Sequence, residues 1–310
     1  MVRLLDPVGY LKLFRFPLVF TAIADSATGY LLTSESRVPS RFILNVGLTA
    51  VSSACLYAFG MALNDWSDKD RDKVLAPGRV LPSGRISSSG ALIALIVLVI
   101  ISGFAIALVD GRGSLLQRLV VWGFLLTCIV IYDCVMKAPP VMGLVRALNF
   151  ILGMAVAAPL MTVFLPWHLA LVAMPEFVYV TALTYVSTLE EESLDRRRLW
   201  VGTASMILGA FMAATWNPIL QGFIPWGATR THVPWKAFLV SLVLALWISE
   251  RARRARDKRG VMLLVRDGII GIILLHTSEL STYDLNIEAA CIAALVIPAA
   301  LSVAVFKRLA

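Results

Sequence analysis

The chain has 310 residues, of which 59% are hydrophobic and only 15% charged, with a mean hydropathy of +0.81. A soluble domain carries about 25% charged residues, so the composition excludes an ordinary soluble domain and indicates a polytopic membrane protein. The net charge of +8 reads as topology and attraction to anionic headgroups; the basic residues are split among separate loops with no aromatic-interleaved domain, which excludes nucleic acid as a partner.

Residues 1–32 join a basic start to an apolar run without a small-residue cleavage site, so the run is read as a retained first helix. Ten apolar segments are found, at 16–32, 42–63, 91–109, 116–132, 141–165, 168–189, 200–216, 235–249, 261–276 and 287–306. Several reach the ~20 residues needed to span a bilayer. Segments 235–249 and 261–276 are short, and the second carries Arg266 and Asp267. The expected fold is all-α, a transmembrane bundle of nine or ten helices forming one domain over 1–310. There is no fixed-period repeat and no low-complexity tract.

Positive charge sets the expected orientation. With the N-terminus in the cytoplasm, 20 of the 28 basic residues fall on the inner side and six on the outer side. Arg146 and Arg266 lie within segments. Loops 64–90, 190–199 and 250–260 are then cytoplasmic, as for a multi-pass protein of a bacterial inner membrane. Cys55, Cys128, Cys134 and Cys291 form no CxxC pair and read as small buried hydrophobes. His168, His232 and His276 are scattered and suggest core or interfacial positions, with no metal triad among them. The tryptophans lie mostly near segment ends, which fits interfacial belts.

Asp25 lies midway along the first segment, where an ionisable group is costly. It either orients an acceptor or pairs with Arg146. The second segment ends in Asn64-Asp65-Trp66-Ser67-Asp68-Lys69-Asp70-Arg71-Asp72. At 100° per residue, Asn64, Asp65, Asp68 and Asp72 share an arc of about 100°, whereas Asp70 points away. Carboxylates on one face repel one another unless a cation holds them, and hard oxygen ligands suit Mg²⁺. Since Mg²⁺ also shares itself with substrate phosphates, the segment indicates a metal–phosphate site at a membrane surface. A second acidic group, Glu190-Glu191-Glu192 with Asp195, ends the sixth segment on the same side. Glu191 and Asp195 at i,i+4 can share a helix face, while Glu190 reaches another, so a second metal position is one reading and a solvated, salt-bridged loop the other. Two metals around one diphosphate follow if the second and sixth helices are neighbours. Asp133 is either a metal or acceptor contact or a helix-end acid, and Arg85 is either functional or a topology charge.

Asn64-Asp65-x-x-Asp68-x-x-x-Asp72 resembles the first aspartate-rich motif of the UbiA superfamily of intramembrane prenyltransferases. The flanks agree: Arg15-Phe16-Pro17 resembles the Arg-x-Pro that opens the first helix, and residues 77–86 (PGRVLPSGRI) resemble the basic segment after the motif. Tyr132 and Lys137 resemble the Tyr and Lys after helix four, and Arg146, Asn149 and Gly153 the Arg-x-x-Asn and Gly of helix five. The likeness covers about residues 11–195. Two features depart from the family pattern: Glu191-x-x-x-Asp195 replaces the usual second aspartate motif, and the Tyr132–Lys137 spacing is one residue longer. They point to a divergent bacterial UbiA-like branch.

The resemblance implies Mg²⁺-dependent transfer of a prenyl group from an isoprenoid diphosphate to an aromatic or other small acceptor. In that reading Asp65, Asp68 and Asp72 hold metal, joined by Glu191 and Asp195. Lys137, Arg79 and Arg146 stabilise the leaving pyrophosphate. Asn64 ligates or orients a ligand, and Asn149, Tyr132 and Asp25 contact substrate. Two other readings compete. A CDP-alcohol phosphotransferase is also membrane-bound and Asp-rich, but its Asp-Gly-x-x-Ala-Arg segment is missing. A non-catalytic isoprenoid-binding or transport component of a lipid or pigment export pathway is the second.

Overall fold

A computed structural model of the chain describes residues 6–34, 39–160, 171–190, 194–220 and 234–308, and every regular element in them is helical. The helices in chain order are α1 (Pro7–Leu13), α2 (Val19–Thr33), α3 (Pro39–Ser67), α4 (Lys69–Leu75), α5 (Ser88–Leu108), α6 (Leu115–Cys134) and α7 (Pro139–Ala157). They are followed by α8 (Met174–Ser187), α9 (Arg196–Leu220), α10 (Trp235–Arg254), α11 (Lys258–Thr282), α12 (Asn286–Ala294) and α13 (Val296–Arg308). Short 3-10 turns stand at Phe16–Leu18 and Thr188–Glu190. Each of the ten apolar segments corresponds to one of these helices, the tenth being divided between α12 and α13.

Among the described residues, seven helices are long and apolar enough to cross a membrane, or eight if α1 and α2, bent by 52°, count as one span. Helices only satisfy their own backbone groups, which is why they suit a bilayer. Which of them are central follows from burial: 72% of the α7 span and 61% of the α11 span are covered by protein, against 28% for α5 and 22% for α6. The uncovered face of α5 is Leu92, Ile93, Ile96, Ile100 and Phe104, a helical stripe suited to lipid.

The bundle is built of three adjoining four-helix rings. Helices α2, α3, α6 and α7 close one ring, α2, α7, α8 and α11 the next, and α8, α9, α10 and α11 the third. The rings share the α2–α7 and α8–α11 pairs. Leu56, Phe59, Leu125 and Leu152 are core residues of the first ring, Ala24, Phe150, Met154 and Ile273 of the second, and Tyr179, Leu183, Met206 and Leu244 of the third. Helix α5 lies outside α3, and α13 lies against the 3-10 turn before α2.

Without water there is little hydrophobic drive between helices in lipid, and close backbone contact between small residues takes its place. The α2–α7 pair depends on this. A Cβ at Gly29 would stand 2.0 Å from the Phe150 carbonyl oxygen, and one at Gly153 would stand 1.9 Å from that of Ser26. Each helix has its glycine where the other's backbone crosses.

Gly153→Ala therefore forces α2 and α7 apart, and overpacking of this kind costs about 1–3 kcal/mol or more. Gly47→Ala on α3, where a Cβ meets nothing within 4 Å, leaves stability unchanged or raises it by up to about 1 kcal/mol. Thermal unfolding of both variants in detergent checks the pair; equal melting temperatures would show that the α2–α7 contact is not this tight.

Candidate functional site

Helix α3 carries Asn64 and Asp65 in its last turn and ends at Ser67. Asp68 stands at the junction with φ −87° and ψ 1°, and α4 resumes at Lys69. The hydrogen-bond ladder still runs through the break, with Asp68 N donating to Asn64 O at 3.0 Å and Asp72 N to Asp68 O at 2.8 Å. The motif thus keeps its helical rotation. Asp65 and Asp72 are 6% and 5% exposed, and Asp68 and Asn64 are half-buried. Asp70 faces water and pairs with Lys73 at 2.7 Å, and that hydrogen bond holds its carboxyl below the usual carboxylate range.

Each inward carboxylate meets a different cation from a different segment. Arg15, between α1 and the 3-10 turn, lies 3.4 Å from Asp65; Arg79, in the turn after α4, lies 2.5 Å from Asp72; Lys137, between α6 and α7, pairs with Asp68. The backbone of Arg15 is left-handed, φ 45° and ψ 46°. For a non-glycine residue this costs roughly 1–2 kcal/mol. Arg85 pairs with Asp6, which in turn caps α1 by accepting from Gly9 N at 2.9 Å. Asp133 is 6% exposed; its backbone carbonyl accepts from Ser67 Oγ at 2.9 Å, and its carboxylate feels Lys137, Arg15, Asp68 and Asp65. Tyr132 is half-buried beside it, within reach of the Arg15 charge.

The donor set of this end is oxygen only, which fits Mg²⁺. Among the described residues Asp65, Asp68 and Asp72 do not bring one oxygen each within 4.8 Å of one another; each is drawn to its own cation. Mg²⁺ commonly takes one or two carboxylates and completes its shell with waters and phosphate oxygens, so full convergence of the three is not required. An apolar cleft of about 450 Å³ opens beside Arg15, lined by Leu11, Leu18, Val303 and Phe306 together with Arg266.

The second acidic group is arranged otherwise than its spacing suggests. Glu190 ends a 3-10 turn, and Glu191 lies outside the described residues. Asp195 is exposed and caps α9, accepting from Arg197 N at 2.8 Å and Arg198 N at 3.3 Å. Its carboxylate belongs to the start of α9, so the i,i+4 face expected of one continuous helix does not extend to it. Nor are α3 and α8 packed neighbours: α7 lies between and touches both.

Asp25, Arg146 and Asn149 come together, but within the second ring rather than beside Asp65. Arg146 Nη2 donates to Asp25 Oδ1 at 2.7 Å, and Asn149 Nδ2 donates to Asp25 Oδ2 at 3.0 Å and to Ala22 O at 2.9 Å. The Arg146 side chain is 9% exposed, and its guanidinium faces Asp25 in this structure. Three residues that sequence reasoning missed complete the cluster. Glu176 lies 3.6 Å from both Arg146 and His276, His276 Nε2 lies 3.1 Å from Asp25 Oδ1, and His276 Nδ1 lies 3.2 Å from Glu279 Oε2. His276 is fully buried, as expected of a core histidine, but with polar partners rather than among apolar side chains alone. The available signal was the same one that flagged Asp25: an ionisable group inside an apolar segment.

A family model described as the UbiA prenyltransferase family matches residues 19–263. Among solved structures, the chain is similar to a UbiA homologue from Archaeoglobus fulgidus bound to GPP and Mg²⁺, with 14% identity, TM-score 0.58, and 87% of this chain and 99% of that one covered. The same homologue bound to DMAPP and Mg²⁺ gives 16% identity and a TM-score of 0.55, covering 85% and 99%. A structure of digeranylgeranylglyceryl phosphate synthase matches with 17% identity and a TM-score of 0.56, covering 89% and 98%. At these identities the likeness is one of fold. A search of the curated proteins finds no match.

Removing one partner of a buried ion pair strands the other, at a cost of about 3–5 kcal/mol. Arg146→Met, which strands Asp25 and Glu176, is expected to lose that much in detergent unfolding. Asp70→Asn, which loosens only an exposed pair, changes stability by about 0.5 kcal/mol or less. A mild loss in Arg146→Met would mean that water reaches the cluster.

Proposed function

The chain belongs to the UbiA prenyltransferase family, and we propose that it transfers a prenyl group from an isoprenoid diphosphate to a small acceptor, aromatic or otherwise, at the cytoplasmic face. The observation that carries this reading is the end of the bundle where Asp65, Asp68 and Asp72 each face a cation brought by a separate segment. Relatives of the same fold bind GPP or DMAPP with Mg²⁺, which supports the same ligands here.

The chemistry follows from the charges. An allylic diphosphate departs with the electron pair of its C–O bond, and the barrier falls as far as the negative charge on the departing pyrophosphate is stabilised. Arg15, Arg79 and Lys137 are 37–42% exposed at their side chains, so they can turn from their aspartates to diphosphate oxygens without leaving the site. Asp65, Asp68 and Asp72, with Asn64 alongside, are the residues that would hold the cation. Mg²⁺ bound there supplies Lewis-acid neutralisation of the diphosphate. Tyr132, half-buried beside Asp133, is assigned a substrate contact, and the apolar bundle would exclude water from the allylic carbon. The strained Arg15 backbone holds one cation in place before substrate arrives.

Single Asp→Asn changes at 65, 68 and 72 keep size and remove charge. Each is expected to lower turnover of labelled prenyl diphosphate by on the order of 100-fold or more, with greater Mg²⁺ demand. Asp70→Asn is expected to cost little, because an exposed pair contributes at most about 1 kcal/mol. Mg²⁺-independent binding with no turnover in the unaltered protein would favour a carrier instead, and equal loss in all four variants would overturn the one-face geometry.

The proposed orientation has its own check. Single cysteines placed in 64–90 are expected to resist a membrane-impermeant thiol reagent in intact cells and to react after permeabilisation. Labelling from outside would invert the topology.

A further inference from the structure

The second ring contains a buried polar cluster distinct from the ion pairs of Asp65, Asp68 and Asp72. Asp25 on α2, Glu176 on α8 and His276 on α11 each offer one ligand atom, and these atoms all lie within 4.8 Å of one another. All three residues are 0–2% exposed. Arg146 and Asn149 on α7 and Glu279 on α11 surround them, and the Phe150 ring stacks on that of His276 with centroids 5.7 Å apart and planes 6° apart. The four helices of the ring all contribute.

Three facts point to a cation. The first is the hydrogen on the imidazole. Both ring nitrogens face carboxylates, which only accept: Nδ1 lies 3.2 Å from Glu279 Oε2, and Nε2 lies 3.1 Å from Asp25 Oδ1 and 3.6 Å from Glu176 Oε1. With its hydrogen on Nδ1, the neutral ring offers Nε2 to a cation shared with those two oxygens. A carboxylate on the far nitrogen of a histidine is the arrangement that orients metal-binding imidazoles.

The second fact is an acid without a hydrogen bond. Glu176 is 2% exposed; its Oε1 lies 3.6 Å from Arg146 Nε and from His276 Nε2, and neither of its oxygens, nor Arg146 Nε, nor Asn149 Oδ1, has a hydrogen-bond partner. Buried carboxylates are paired or coordinate a metal. The third is charge. Asp25, Glu176 and Glu279 bring three negative charges and Arg146 one positive, so the cluster with neutral His276 carries two negative charges in excess. A proton on His276 and one on a carboxyl offset both, as does a single divalent cation.

We propose that Asp25, Glu176 and His276 bind a divalent transition-metal ion of the Zn²⁺ type, at a site separate from Asp65, Asp68 and Asp72. With metal–ligand bonds of about 2.0–2.1 Å, the edge of a tetrahedral site is about 3.3–3.4 Å, and the spacings of 3.1 and 3.6 Å bracket it. The imidazole selects Zn²⁺, Fe²⁺ or Ni²⁺ over Mg²⁺, which prefers oxygen alone. Three protein ligands leave a fourth position, and the unpaired Arg146 Nε and Asn149 Oδ1 are the donor and acceptor for a water or hydroxyl there. The ion ties α2, α8 and α11 together at the ring's centre.

The test uses the full chain, purified in detergent from cells supplied with Zn²⁺, together with an Asp65→Asn/Asp68→Asn/Asp72→Asn triple variant that removes the other site. Elemental analysis is expected to find about one equivalent of Zn²⁺ in both proteins after gel filtration in Mg²⁺ buffer. Glu176→Gln and His276→Asn are each expected to weaken retention at least tenfold. Independently of any variant, Co²⁺ exchanged into the unaltered protein is expected to give the visible absorption of four-coordinate cobalt. Unaltered protein without Zn²⁺ above background, together with Co²⁺ showing only its aqueous spectrum, would overturn the proposal and leave protons to balance the cluster. Loss of Zn²⁺ in the triple aspartate variant would also overturn it, by assigning the ion to the Asp65–Asp72 end.

Discussion

The backbone contact between α2 and α7 is the constraint on which both polar sites depend. Gly29 and Gly153 let the helices meet at a distance that no side chain tolerates. Helix α2 carries Asp25 and, through the 3-10 turn before it, Arg15; helix α7 carries Arg146 and Asn149 and, through the loop before it, Lys137. One contact therefore sets the depth of the buried cluster and the reach of two cations toward Asp65 and Asp68. A shift of α7 along α2 would displace Lys137 from Asp68 and Arg146 from Asp25 together.

Acids with the same intrinsic chemistry are treated differently at the two sites because their surroundings differ. At the end of the bundle the cations are half-exposed and the aspartates accept one partner each. Such pairs are weak enough to exchange for a ligand, since solvent lowers the cost of parting them. In the second ring every group is nearly or fully buried, and parting a pair there exposes an uncompensated charge to apolar protein. The first arrangement suits groups that must change partners in a reaction. The second suits groups that stay in place.

What the sequence makes legible is local. The rotation of Asp65, Asp68 and Asp72 onto one side and of Asp70 onto the other follows from helix geometry over a few residues, and burial divides them in the same way. The ten apolar segments are local too. Which cation meets which acid is not: Arg15 and Asp65 are 50 residues apart, and Lys137 and Asp68 are 69 apart. The buried cluster is harder still. His276 and Asp25 are separated by 251 residues, His276 looks like a core residue among leucines, and Glu176 in the first turn of α8 looks like an acid placed for the helix dipole. Asp195 fails for a different reason, because a carboxylate just before a helix is taken by the backbone N–H groups of that helix.

The two sites also divide the energetic cost of keeping ionisable groups inside a membrane protein. A diphosphate brings several negative charges and needs cations that can approach it from more than one side. In the proposed reaction Arg15, Arg79 and Lys137, arriving from three different segments at the water-facing end, meet that need, whereas the single Arg146 already faces the carboxylates of Asp25 and Glu176.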